Sequence, residues 1–198
     1  MRFKDRGQIN NNLTIALEEI ESNQKLMDIF NVELLDGNLY SHSIGVARIA
    51  IQLMVSLNYN QQDIIETAIG AILHDVGKLY IPYEILYKPG KLTDEEFEIV
   101  KKHPEQGYAV LKDKGLSKQS LDVVRYHHEK SDGSGYPYGL KNIPVSVQLV
   151  TIADIFSAMT ESRCYHLPLS TVKTLRYIDN LGVLDITGVN ALFDSILD

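Results

Sequence analysis

The chain carries one cysteine, Cys164, and no tryptophan. A single thiol excludes an internal disulfide and a metal cage built on several thiolates. No apolar stretch runs long enough without charge to cross a membrane. The N-terminus, MRFKDRGQINNN, lacks the apolar segment of a signal peptide. Basic residues are outnumbered, 19 Lys and Arg against 26 Asp and Glu, giving a formal net charge of -7. That balance argues against a face for the backbone of a nucleic acid polymer. It leaves room for a small anionic ligand held through bound cations, which become the largest charges in a site. A soluble, reducing, cytoplasmic setting with no membrane association is expected.

What is present is helical patterning. The 198 residues are 44% hydrophobic, enough for a globular core. Leu13, Leu17, Ile20, Leu26, Ile29 and Phe30 predict helix from about 13 to 35. A second helix is expected after Ser41 and a third after Asn60, a good N-cap, ending near Gly77. Residues 77–92 contain Pro82, Pro89 and Gly90 and read as an ordered loop. Thr93-Asp94-Glu95-Glu96 is a capping box opening a fourth helix, which Pro104 should kink or restart. Another helix runs from Ser117 into His127-His128, and the glycines and proline of residues 131–139 mark a shaped loop. A long helix follows Pro144, with shorter ones after Ser170 and Thr187. No segment alternates over strand length, so the expectation is one all-α helical bundle.

Six histidines carry the chemical signal. His74-Asp75 and His127-His128 are adjacent pairs at helix ends; His42 lies early in the second helix, His103 precedes Pro104, and Asp154 sits inside the long helix. Neighbours on a helix are about 100° apart around the axis, so adjacent ligands can reach two different metal ions. Imidazole and carboxylate without thiolate suit iron, manganese, nickel or zinc in a reactive rather than structural site. Asp154, between Ala153 and Ile155, needs a partner, because an unpaired buried carboxylate is costly. A lone histidine on an amphipathic helix is usually a packed or surface residue; the spacing of the set carries the weight.

His42, His74-Asp75-Val76-Gly77-Lys78 and Asp154 resemble the H…HD…D signature of the HD superfamily. His103-Pro104-Glu105-Gln106-Gly107 and His127-His128-Glu129, followed by Asp132-Gly133-Ser134-Gly135-Tyr136-Pro137 and Gly139, narrow the resemblance to the HD-GYP branch. It spans about residues 40 to 195 in the expected order. The division it implies is an HD-type domain over 40–198 around a metal site, with 1–39 as an N-terminal helical extension.

The resemblance implies a cyclic-dinucleotide phosphodiesterase, chiefly for cyclic di-GMP, using a hydroxide activated by two divalent metal ions. His42, His74, Asp75, His103, His127, His128 and Asp154 would bind them, with Asp75 bridging. Iron or manganese is expected first, nickel or zinc next. Lys78 would lie near the water or a phosphate oxygen, and Arg163, in the family's RPY segment, would grip a phosphate. The Gly135-Tyr136-Pro137 loop, with Tyr136 on the substrate side, would also offer a surface to a regulatory protein partner. Three departures bear on rate and specificity. Asn38 stands where some members carry a Glu that helps bind a third metal, so two ions are expected. Ser157 replaces an Asp, and His166 replaces a Lys, so substrate grip should be weaker and should strengthen as His166 gains charge in acid. Hydrolysis of another nucleotide, or a slow ligand- and partner-binding signalling module, are the alternative readings.

Overall fold

The computed structural model describes residues 3–160, 169–182, 184 and 186–197. Among these the regular structure is helical: α1 (Phe3–Ser22), α2 (Gln24–Leu35), α3 (Gly37–Ser56), α4 (Gln61–Leu73), a 3₁₀ turn (Val76–Tyr80), α5 (Tyr83–Leu86), α6 (Asp94–Val100), α7 (His103–Leu111), α8 (Lys118–Tyr126), α9 (Val145–Thr160), α10 (Thr171–Leu181) and α11 (Ile186–Leu197). The all-α expectation holds.

The centre of the bundle is α4. Every residue from Ile64 to Leu73 except Glu66 is buried, so this helix is covered on all sides. It packs against α3, α8 and α1, while α3 also packs against α9. Gly70 permits the approach of α8: a Cβ there would lie 2.7 Å from Val123 Cβ and 2.8 Å from the Ser120 carbonyl. The N-terminal helices share this core through Ile9, Leu13, Ala16 and Ile20 of α1 and Leu26 and Phe30 of α2.

Several boundaries differ from the sequence reading, each for a local reason. The helix expected over 13–35 starts ten residues earlier, at Phe3, and breaks at Asn23. Asn23 Oδ1 accepts from the Lys25 amide at 3.1 Å and Nδ2 donates to the Lys114 carbonyl at 2.8 Å, so its side chain joins a helix start to a distant turn. The next helix begins at Gly37 rather than after Ser41, because Asp36 Oδ1 accepts from the Leu39 amide at 3.1 Å. The region read as loop over 77–92 holds the 3₁₀ turn and α5. Other signals match: Asn60 and Ser117 cap α4 and α8, Thr93 and Glu96 form the capping box, and the chain restarts as α7 at His103-Pro104. No described helix is long and apolar enough to cross a membrane.

Candidate metal centre

Five elements deliver side chains to one point. α3 supplies His42, the end of α4 supplies His74 and Asp75, the start of α7 supplies His103, the end of α8 supplies His127 and His128, and α9 supplies Asp154. Two groups result, within each of which the ligand atoms lie within 4.8 Å of one another: His42, His74 and Asp75, and His103, His127 and His128. Asp75 stands between them. Its Oδ2 is 3.4 Å from His74 Nε2 and 4.0 Å from His42 Nε2; its Oδ1 is 3.3 Å from His103 Nε2 and 3.9 Å from His127 Nε2. Asp154 Oδ1 joins the first group, 3.0 Å from His42 Nε2 and 4.0 Å from His74 Nε2.

The backbone sets the tautomers. His74 Nδ1 lies 2.7 Å from the Ala71 carbonyl, His103 Nδ1 2.8 Å from that of Val100, and His127 Nδ1 2.9 Å from that of Val124. A carbonyl only accepts, so each Nδ1 carries the proton and each Nε2 presents a lone pair inward. His103 Nε2 and His127 Nε2 then face one another at 3.1 Å with no proton between them. His74 Nε2 and Asp75 Oδ1 are buried with no hydrogen-bond partner. Converging lone pairs and an orphaned carboxylate oxygen repel unless a cation sits among them, and this donor set fits a divalent metal.

Protonation states agree. Burial lowers the pKa of His103, of His127 well below its ordinary value, and of His128 to about 3. Neutral imidazole is the form that ligates. Burial opposes ionisation of Asp75, but the facing His74 and the Lys78 ammonium, 2.5 Å from Oδ2, outweigh it and hold the carboxyl well below the usual range. Burial likewise opposes ionisation of Asp154, and its hydrogen bond with His42 overcomes that. Lys78 reaches back to Asp75 because the 3₁₀ turn follows the pair at once.

Two glycines make the packing possible. A Cβ on Gly77 would lie 1.9 Å from the His103 carbonyl, so the 3₁₀ turn and the start of α7 touch through backbone. A Cβ on Gly135 would lie 2.5 Å from Glu129 Cα, the His128 carbonyl and the Lys130 amide nitrogen, so the loop lies flat on the end of α8. Tyr136 then stacks on His128, with ring centroids 4.6 Å apart and planes 30° apart. Beside the histidines is a cavity of about 330 Å³, whose near wall includes His128, Tyr136 and Asp154.

The structure thus brings together His42, His74, Asp75, Lys78, His103, His127, His128 and Asp154, with Tyr136 alongside. Arg163 and His166 lie outside the described residues. Ser157, read from sequence as part of an altered substrate grip, faces His42 instead, its Oγ 3.2 Å from Nδ1. Sequence reasoning placed Glu129 in a motif but gave it no role; it is 1% exposed and accepts from the Tyr138 and Leu140 amides at 2.7 and 2.9 Å, tying the loop down. Its place directly after His127-His128 was the available signal. The three orienting carbonyls carry no side-chain signal at all.

Known proteins resemble this chain in sequence and in fold. The chain is 34% identical over 154 residues to a cyclic di-GMP phosphodiesterase of Pseudomonas aeruginosa, covering 76% of this chain and 37% of that one. It is 36% identical over 164 residues to a cyclic di-GMP phosphodiesterase of Thermotoga maritima, covering 80% and 45%. It is 31% identical over 188 residues to 3'3'-cGAMP-specific phosphodiesterase 1 of Vibrio cholerae, covering 92% and 42%. The chain therefore spans less than half the length of each of these relatives. Among solved structures, Bd1817, an HDG"Y"P protein from Bdellovibrio bacteriovorus, shares the fold with a TM-score of 0.70 at 21% identity, covering 98% of this chain and 64% of that one. The family model described as HD domain matches residues 15–182, and the chain belongs to the HD domain family.

Proposed function

We propose that this chain is the catalytic part of a cytoplasmic cyclic-dinucleotide phosphodiesterase holding two divalent metal ions. The observation that carries the reading is Asp75, whose two oxygens face two separate histidine groups. One ion would be held by His42, His74 and Asp154, the other by His103, His127 and His128, with Asp75 shared. Nitrogen and oxygen donors without thiolate favour iron or manganese, with nickel or zinc next. Residues 40–198 form the catalytic unit in this reading, and 1–39 an extension that packs on it. Relatives named as phosphodiesterases of cyclic di-GMP and of 3'3'-cGAMP support the substrate class.

Bound divalent ions neutralise phosphate charge and lower the pKa of a water towards neutrality. The chain's own residues do the rest. Three backbone carbonyls fix the imidazoles as neutral ligands, so no ligand must reorient when substrate arrives. Lys78, 2.5 Å from Asp75 and partly exposed, would meet a phosphate oxygen. Tyr136 forms a wall beside the substrate, and its Gly135-Pro137 loop is the surface we assign to a regulatory partner. Arg163 and His166 remain our candidates for gripping a second phosphate.

The test is release of linear dinucleotide or GMP from cyclic di-GMP by metal-loaded protein, with Asp75→Ala as control. Turnover lost in the variant supports the reading. Tight binding of cyclic di-GMP with no turnover at any metal loading would replace it with the signalling-module reading. Turnover of a different nucleotide alone would replace the substrate class.

A further inference from the structure

The cavity beside the metal centre has a far side that the proposed chemistry leaves unassigned. Its floor is apolar, built from Ile155 and Met159 of α9 and Leu181 of α10. Tyr177 of α10 lines it and is 49% exposed, and Lys130 is the one Lys or Arg among the described lining residues. At about 330 Å³ the space lies near the lower end of ligand cavities, which run from about 300 to 1,000 Å³. It has room for one planar ring and its sugar, not two. An apolar floor and a tyrosine face do not suit a hydrated inorganic ion; with one lysine beside them, they suit a neutral aromatic ring attached to an anionic group. The near wall supplies His128 and Asp154 of the centre itself, so an occupant reaching the far side is continuous with whatever sits at the metals.

We infer that this cavity is a nucleotide subsite in which Tyr177 stacks one nucleobase of a cyclic dinucleotide and Lys130 pairs with the phosphate that is not being cut. The inference rests on the phosphodiesterase reading and adds two positions to it. Tyr177 and Lys130 are binding residues; Tyr177 lies on α10, which carries none of the proposed metal ligands, and Lys130 follows His128 by two residues. A stacked base tolerates any purine face, so this subsite contributes affinity with little choice between guanine and adenine.

The experiment measures the dissociation constant of a hydrolysis-resistant phosphorothioate analogue of cyclic di-GMP on the metal-loaded chain. Native protein is compared with Tyr177→Ala, Tyr177→Phe and Lys130→Gln. Metal content and melting midpoint of each variant report whether the centre and fold are intact. Tyr177→Ala should bind about 10-fold more weakly, Tyr177→Phe near the native value, and Lys130→Gln several-fold more weakly with a shallower dependence on salt. Native-like binding by both Tyr177→Ala and Lys130→Gln overturns the subsite while leaving the phosphodiesterase reading standing. A Tyr177→Phe loss equal to that of Tyr177→Ala overturns stacking. If Tyr177→Ala loses metal or melts early, Lys130→Gln alone decides. No binding by the native chain overturns the inference and the reading together.

Discussion

His103 and His127 point their Nε2 atoms at one another across 3.1 Å, while both Nδ1 atoms are bonded to backbone carbonyls. Without a cation the pair is a local repulsion inside the core. Removing metal should therefore lower stability. At free metal about 100-fold above its dissociation constant, one ion contributes about 2.7 kcal/mol, or about 5–10 °C in melting midpoint for a chain of this size. Calorimetry with chelator, then with manganese or iron restored, checks this. An unchanged midpoint would show that the lone pairs are satisfied some other way.

The chelated protein should be sensitive to mild acid. An imidazole whose folded pKa is depressed takes its proton more readily in the unfolded chain. Stability is then full above the ordinary histidine value of about 6.5 and falls below it. For His128 the fall continues until about 3, where the folded form also protonates. Asp75 and Asp154, also depressed, add a further loss below about pH 4. Each histidine kept neutral costs up to about 1.4 kcal/mol per pH unit in that window. Urea midpoints with chelator should drop from about pH 7 to about pH 5; level midpoints would mean these rings protonate in the folded state.

Metal count follows from the carboxylates. Asn38, one turn before His42, is exposed and neutral, so a third ion lacks an anionic anchor there. Elemental analysis of the native chain should find no more than two ions. Asp75→Ala should lose most of both, because the remaining groups share no anion. Full metal content in that variant would remove Asp75 from the bridging position.

Gly77 and Gly7 make a controlled pair. Gly77→Ala forces a Cβ to 1.9 Å from the His103 carbonyl and must push α7 from the 3₁₀ turn, costing about 3 kcal/mol. Gly7 lies inside α1 with nothing within 4 Å of its Cβ, so Gly7→Ala should gain about 0.5–1 kcal/mol from helix propensity. Denaturant unfolding of both variants measures the contrast, and a harmless Gly77→Ala would contradict the backbone contact.

Ser157→Ala removes the group 3.2 Å from His42 Nδ1. Loss of such a supporting contact typically weakens metal binding about 10-fold or more. Competition with a chelator should show one class of ion released more readily and the other unchanged. Equal affinity in native and variant would return Ser157 to a packing role.

The convergence of these side chains was legible from sequence because imidazoles and carboxylates are rare enough for their order to carry information. His103 gained meaning from Pro104, which restarts the helix there, and Asp154 from its apolar neighbours. Helix starts were legible where a side chain caps them, as at Asn60, Thr93 and Ser117. The break at Asn23 was not, because its reason is a bond to Lys114, ninety-one positions away. Glu129 was legible as part of its motif, but its role in tying down the loop was not, because the amides it accepts from lie nine and eleven positions on. The orienting carbonyls of Ala71, Val100 and Val124 belong to the backbone, which every sequence has.

Those carbonyls also make the centre a strain gauge. His74 and His127 are registered to the helices they end, α4 and α8, and His103 to Val100 at the end of α6, so their aim follows those elements rather than one another. When one helix slides, its imidazole travels with it as a rigid pointer. A displacement of the α6–α7 junction against the 3₁₀ turn, where Gly77 lets backbone press on backbone, would carry the His103 imidazole with it. The spacing of the two histidine groups is therefore a property of how these helices pack, not of the side chains alone.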